Sequence, residues 1–282
     1  MVKIVSFINL KGGVAKTTLS VNIAAALAKE FNKKVLIVDL DPQTNATVSV
    51  ITQKEWEEKE RQKSSLFYMF NDKIKGNHEF DIHKAIIKGV GDIKTLDLLP
   101  SSVNLIEIQD DIINISSARY VSPVEILQNA LLEVKDLYDY IIIDCPPNLG
   151  TITLNGVNVS DYYIVPVVPD ILSKYGLSMI FNRINAFKKS KKTCKIKCGG
   201  IVFTKVDPRY NLHKDIKKQI EGDANYYNSI FKTQLFQRAV ISKATLESKP
   251  VITAQKIRKD SKYHDTCKDI INITKEFIER IK

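Results

Sequence analysis

The chain is poor in the residues that staple, chelate or anchor. Its 282 residues include four cysteines, and Cys145, Cys194, Cys198 and Cys267 show no framework spacing. That argues against a disulfide-dense secreted scaffold and for a reduced, cytoplasmic setting. The four histidines, His78, His83, His213 and His264, are scattered without metal-ligand spacing. No apolar run approaches the ~20 residues that cross a bilayer, so no membrane-spanning helix is expected. The stretch Met1–Ile8 enters glycine-containing sequence without a small-residue cleavage site, which does not fit a signal peptide. Proline and glycine form no linker, and there is no internal repeat. A single domain over residues 1–282 is expected.

What the chain does have is apolar content and positive charge. Hydrophobic residues make up 44%, enough for a sizeable core and too many for a wholly disordered chain. Lys and Arg number 42 against 32 Asp and Glu, a net charge of +10. The excess is concentrated. Residues 183–262 hold 20 basic and 6 acidic groups, a net +14, while the remainder holds 22 and 26, a net −4. Such a segment favours a polyanionic partner, with a set of solvated lysine-rich helix faces as the plain alternative.

Short, continuously apolar runs recur at residues 3–9, 34–39, 95–100, 138–144, 162–168 and 201–206, with a weaker one near 230–236. Runs of this kind suit strands buried on both faces. Helical patterns fall at 17–31, 123–137, 174–188, 212–220 and 264–281. The alternation predicts an α/β fold: a doubly wound, mostly parallel sheet flanked by helices. Residues 52–75, highly charged and then aromatic, read as a helical excursion from that sheet.

The first strand-to-helix turn carries the most specific chemistry. Phe7-Ile8-Asn9-Leu10-Lys11-Gly12-Gly13-Val14-Ala15-Lys16-Thr17-Thr18 places a glycine-rich loop before a helix N-terminus, where backbone N–H groups gather an anion. Lys16 would reach the terminal phosphates of a nucleotide, and the Thr17 hydroxyl would ligate Mg2+. The strict GxxxxGK[ST] pattern is not met, because Leu10 and Ala15 occupy its glycine positions. Two later strands end in carboxylates, Val35-Leu36-Ile37-Val38-Asp39-Leu40-Asp41 and Tyr140-Ile141-Ile142-Ile143-Asp144. In an open parallel sheet these emerge beside the loop, where Asp144 suits a Mg2+ ligand, directly or through water. Taken singly, each Asp equally suits a turn or cap.

Lys11-Gly12-Gly13-x-x-Lys16-Thr17 resembles the deviant phosphate loop of the ParA/MinD superfamily of ATPases. VLIVDLDPQTNAT (35–47), LDLLPSSVNL (96–105), YDYIIIDCPP (138–147) and TKVDPR (204–209) are similar to later segments of the ParA-type partition ATPases, in order. The resemblance covers most of the chain apart from 52–75. It implies ATP and Mg2+ as ligands, held by Lys11, Gly12, Gly13, Val14, Ala15, Lys16, Thr17 and Thr18. Lys11 would reach across a dimer interface to the partner's nucleotide. Asp41 would orient the attacking water, Asp39 would support it and contact the metal, and Asp207 and Arg209 would lie at the adenine. Ala15 departs from the commoner glycine, and a positive φ there would strain the loop.

The resemblance further implies an ATP-dependent homodimer that binds double-stranded DNA without sequence preference. A ParB-type partner would stimulate otherwise slow hydrolysis, with the protein cytoplasmic and on the nucleoid. Arg238 lies in a segment similar to one that contacts DNA, and Lys243 stands nearby. Lys188, Lys189, Lys217 and Lys218 are candidate phosphate contacts by charge alone. A MinD-like membrane-associated ATPase is the alternative, since Ile270, Ile273, Phe277, Ile278 and Ile281 share one face of the last helix; its opposite face lacks a basic bias.

Overall fold

The computed structural model describes residues 1–77, 79–113 and 122–282, so His78 lies outside the described residues. Six of the expected apolar runs form strands: β1 (Lys3–Phe7), β2 (Val35–Asp39), β3 (Leu96–Leu99), β4 (Tyr140–Asp144), β5 (Tyr162–Val167) and β6 (Lys197–Phe203). They pair in parallel throughout, in the order β3-β2-β4-β1-β5-β6. From β1 the chain winds toward β2 in one direction and later toward β5 in the other. The C-terminal end of β1 therefore opens at the crevice where the winding reverses.

Among the described residues the helices are α1 (Lys16–Glu30), α2 (Asn45–Val48), α3 (Gln53–Arg61), α4 (Leu66–Lys75), α5 (Ile82–Ala85), α6 (Gln109–Ile113), α7 (Ile126–Leu131), α8 (Thr151–Val159), α9 (Ser173–Ser190), α10 (Asn211–Glu221), α11 (Ala239–Thr245) and α12 (Tyr263–Arg280). Alternation along the strands divides the core. Val5 and Phe7 face α1, α11 and α12, whereas Ile4 and Ile8 share a cluster with α4, α7, α8, α9 and α10. Phe277 of α12 is fully buried, its ring 6.5 Å from that of Phe7 and 5.9 Å from that of Tyr140.

Several elements depart from expectation for identifiable reasons. β6 begins at Lys197 rather than 201, where glycines hide the strand signal. Gly200, at φ +148, could not carry a Cβ, which would collide with the Phe231 ring and the Ser229 carbonyl. The weak run at 230–236 is reduced to single bridges at Ile230 and Phe236, because the N–H groups of Lys232 and Thr233 donate to the Glu276 carboxylate instead. The helix expected at 123–137 shortens to α7 followed by a 3-10 turn at Lys135–Leu137. Helix α8 was not expected, being rich in β-branched residues. Packing overrides that propensity: Gly156 brings it so close to the sheet that a Cβ would stand 2.9 Å from Leu40, just past β2, and 3.3 Å from Ile143 of β4.

The excursion is docked rather than free. A capping box joins Thr52 and Glu55 at the start of α3, and the Trp56 indole donates to the Ser101 carbonyl at 3.0 Å. Leu66, Met69 and Phe70 of α4 are buried. At the other end of the chain Ile270, Ile273, Phe277 and Ile281 are buried in the core, so the apolar face of α12 is not offered to lipid. Among the described residues no helix is long and apolar enough to cross a membrane.

Phe277→Ala removes the ring that ties α12 to β1 and β4, and is expected to cost about 3–5 kcal/mol in urea unfolding. A loss below about 1 kcal/mol would show that the α12 face repacks without it.

Candidate active site

The loop between β1 and α1 is held at both ends. Asn9 accepts from the Lys11 N–H at 2.9 Å and donates to the Pro166 carbonyl on β5 at 2.7 Å. The Thr204 hydroxyl, just past β6, donates to the Val14 carbonyl at 2.8 Å. Between these ties two residues turn left-handed, Gly13 at φ +75 and Ala15 at φ +63. Cβ atoms built on Gly12 or Gly13 would meet nothing within 4 Å, so the loop faces open space. Ala15 provides no side-chain cap to α1, and the first N–H groups of that helix are left to an external acceptor.

A cavity of about 410 Å³ lies over the loop. Gly12, Gly13, Ala15, Lys16, Thr17 and Thr18 line one side, with Asp41 opposite. Lys16 is only 7% exposed, and its Nζ donates to the Lys11 carbonyl at 3.3 Å. Burial holds its pKa below the usual lysine value, against the attraction of Asp144 and Asp41. The Thr17 hydroxyl donates to Asp144 at 2.6 Å, and Ser20 to its other oxygen at 3.0 Å. Burial pushes the Asp144 carboxyl up to about 6, opposed by the Thr17 bond, with Asp41 adding to the rise. Asp39 stands beside Asp144 in the β2–β4 register and accepts from the N–H and hydroxyl of Thr47, at 2.8 and 2.7 Å, and from the Asp41 N–H. Burial and the neighbouring Asp144 push it up as well.

The expected residues thus separate. Lys11 is turned away from the cavity and ion-paired with Asp170. Partial burial opposes ionisation of Asp170, but hydrogen bonds from Lys11 and Ser173 outweigh it and hold the carboxyl below its usual range. Val14 is buried and contributes its carbonyl to the fold. Asp39 faces Thr47 and shapes the loop that carries Asp41. Asp207 and Arg209 do not join the cavity; they pair with each other at 2.6 Å beside a neighbouring hollow of about 470 Å³. The far wall of the cavity comes instead from Ile241, Ala244 and Thr245 of α11 and from Pro250 and Val251. Lys205 also faces in, at φ +50 and without an ion-pair partner among the described residues. Sequence reasoning missed the far wall, and it named the 204–209 stretch for the adenine without singling out Lys205. It also missed Ser20, which carried a usable signal, three residues from Thr17 on the same helix face.

The donor set suits Mg2+ brought in with a nucleotide. A hydroxyl backed by a buried carboxylate offers one or two protein ligands, as that ion ordinarily takes beside phosphates. Among the described residues no cluster of three His, Cys, Asp or Glu could hold a metal alone.

The cations expected at DNA also fall into two groups. Arg238 is ion-paired with Asp269, donates to the Thr266 hydroxyl at 3.2 Å and lies over the Phe236 ring, its side chain 16% exposed. The residue expected at DNA thus has its charge satisfied inside the protein. Lys243 pairs with Asp260 at 2.9 Å, and Lys217 reaches Gln234 at 2.8 Å and Glu221 at 3.5 Å. Lys188, Lys189 and Lys218 form no ion pair among the described residues. Residues 183–197 hold seven Lys and Arg and no acid, and they run from the second half of α9 to the first residue of β6, at the edge where the strands begin.

A pinned glycine loop, a buried lysine and two strand-end carboxylates around one cavity define a phosphate-loop nucleotide site. A family model described as an AAA domain matches residues 2–197. The sporulation initiation inhibitor protein Soj of Bacillus subtilis strain 168 is 33% identical over 252 residues, covering 89% of this chain and 91% of that one. The virulence plasmid ParA family protein pGP5-D of Chlamydia psittaci is 31% identical over 281 residues, covering 99% and 95%. A plasmid partition protein from Borrelia burgdorferi B31 bound to AMPPNP has the same fold, with a TM-score of 0.74 at 23% identity over the whole of both chains. The chain belongs to the ParA/Soj family of partition ATPases.

Two outcomes follow from the loop. An L-residue in the left-handed region costs about 1–2 kcal/mol, so Ala15→Gly is expected to hold or raise stability by up to about 1 kcal/mol after the entropy of the freer unfolded chain is counted. Ala25→Gly, in the buried interior of α1, should instead lose about 1 kcal/mol; urea midpoints compare the two. Because burial raises Asp144 to about 6 when folded, against about 3.9 when unfolded, its own contribution to the stability of the ligand-free protein should be full below the lower value and be lost as pH rises through about 6, opposite in sign to that of depressed carboxylates such as Asp170. Thermal melting across this range checks it, and Asp144→Asn should flatten the dependence.

Proposed function

We propose that the chain is a DNA-partition ATPase, a single unit over residues 1–282, that couples ATP occupancy to dimerisation and DNA binding. The observation that carries this reading is the division of the two loop lysines. Lys16 is buried at the cavity, while Lys11 reaches out of it to Asp170. A cation held by a single exposed-side carboxylate is free to exchange it for the phosphates of a nucleotide in a second subunit, which makes closure depend on ATP.

ATP is the substrate. The loop N–H groups and Lys16 bind its terminal phosphates, and Thr18 the α-phosphate. Mg2+ would be held by the Thr17 hydroxyl, with Asp144 acting through water, and would neutralise phosphate charge when bound. Asp41 faces the cavity unencumbered by a side-chain partner and orients the attacking water. Asp39 fixes Asp41 by accepting its N–H. Intrinsic turnover is slow, and a ParB-type protein accelerates it.

DNA is bound through phosphates, without sequence preference, by the unpaired lysines at the strand-start edge. Lys188, Lys189 and Lys218 are the principal candidates, with Lys217 and Lys243 engaged more weakly because their charges are partly spent. Two copies double the number of neutralised phosphates, which steepens salt dependence. The protein is accordingly expected in the cytoplasm, on the nucleoid, and the buried face of α12 supports no membrane role.

The test is affinity for a non-specific duplex with ATP, ADP or no nucleotide across a salt series. Tight, salt-sensitive binding is expected with ATP alone, lost in Lys16→Ala. Replacing Lys188 and Lys189 by Ala should make the log–log salt slope shallower by about 0.9 per lost phosphate contact. Asp41→Ala should prolong residence on DNA. Nucleotide binding without DNA binding at any salt would refute the reading.

A further inference from the structure

We infer that Arg238 is a positioning residue for the far wall of the nucleotide cavity and not a DNA contact. The inference rests on reading that cavity as the ATP site. Its starting point is the weakness of α11 as a helix. The element has seven residues, Ala239–Thr245, of which Val240, Ile241 and Thr245 are β-branched, and it has no side-chain cap at its N-terminus. So short a helix is not stable alone and takes its position from what holds it.

Ile241, Ala244 and Thr245, spaced three and four apart, put one face of α11 on the cavity. The holds act elsewhere. Immediately before the helix, Arg238 pairs with Asp269 and bonds Thr266, both on α12, while its guanidinium lies 5.2 Å from the Phe236 ring centre. One turn later Lys243 pairs with Asp260. The wall beyond α11 is tied to α1, where the Val251 N–H donates to Asn22 at 2.9 Å and Lys29 donates to the Ile252 carbonyl at 2.7 Å. Since α12 packs on α1 and the sheet, both ends of the wall are referred to the body that carries the phosphate loop.

Burial separates this pair from its neighbours. The side chains of Arg238 and Asp269 are 16% and 19% exposed, whereas Arg209, which lines the same hollow as Arg238, is 85% exposed. For Arg238 to hold a DNA phosphate it would have to leave Asp269 charged and half-enclosed without a partner, an arrangement proteins avoid. Its planar fork, shared between a carboxylate and a hydroxyl and stacked on a ring, fits a fixed structural strut.

The experiment compares wild type, Arg238→Ala, Asp269→Asn, the double variant and Arg238→Lys in ATP titrations, in turnover at saturating ATP, and in salt series on a non-specific duplex. Each single change is expected to weaken ATP about tenfold, the double to be no worse than either single, and Arg238→Lys to recover part of the loss. Turnover at saturation should stay within about twofold and the DNA salt slope should not move, a split that a merely less stable protein would not give. ATP affinity unchanged in both single variants overturns the inference. So does a salt slope shallower by about 0.9 with ATP affinity intact, which is the signature of one lost phosphate contact. Should Arg238→Ala not fold, Asp269→Asn and Arg238→Lys carry the same comparison. Wild-type protein that binds ATP but no DNA would sink the partition reading while leaving the nucleotide comparison standing.

Discussion

Two hydrogen bonds, Asn9 to the Pro166 carbonyl and Thr204 to the Val14 carbonyl, tie the two ends of the phosphate loop to β5 and to the end of β6. Without them nothing local would keep Gly13 and Ala15, on either side of Val14, in the left-handed region. Everything that concerns phosphate follows from their geometry: the direction of the α1 N–H groups, the burial of Lys16 and the outward turn of Lys11. Because the anchors sit on neighbouring strands, the loop inherits the precision of the sheet.

The carboxylates express a second constraint, that buried like charges cannot all ionise freely. Asp39 and Asp144 lie side by side at the ends of adjacent strands, with every described oxygen accepting a hydrogen bond from a hydroxyl or an N–H. Burial raises both, and a divalent ion arriving with its nucleotide would lower the cost of their charge. The arrangement stores unfavourable electrostatics at the place where positive charge is delivered.

Much of this was legible from residue order alone. Strand-forming runs ending in Asp39, Asp41 and Asp144, and a glycine loop entering a helix, specify a parallel sheet with its chemistry at the strand ends, because each signal is local. What stayed hidden depends on contacts between distant segments. Helix α8, rich in β-branched residues and interrupted by a glycine, exists because Gly156 fits against Leu40 and Cys145. Asp207 and Arg209 were expected at the nucleotide, yet they pair with each other, while Lys205 and the α11 wall face the cavity. Arg238 shows the limit most clearly. A basic residue in a basic segment gives no hint that Asp269, thirty-one positions on, has already claimed it.

The ion pair between Lys11 and Asp170 has a kinetic meaning within the proposed cycle. A lysine that gives up one anion to take another gains only the difference between two attractions, and a small difference is readily reversed. Subunits joined through such an exchange separate without a large barrier once the nucleotide changes, since the released ammonium has a resting place waiting in its own chain. The carboxylate would then set the lifetime of the closed state, much as a catch spring sets how long a latch stays shut.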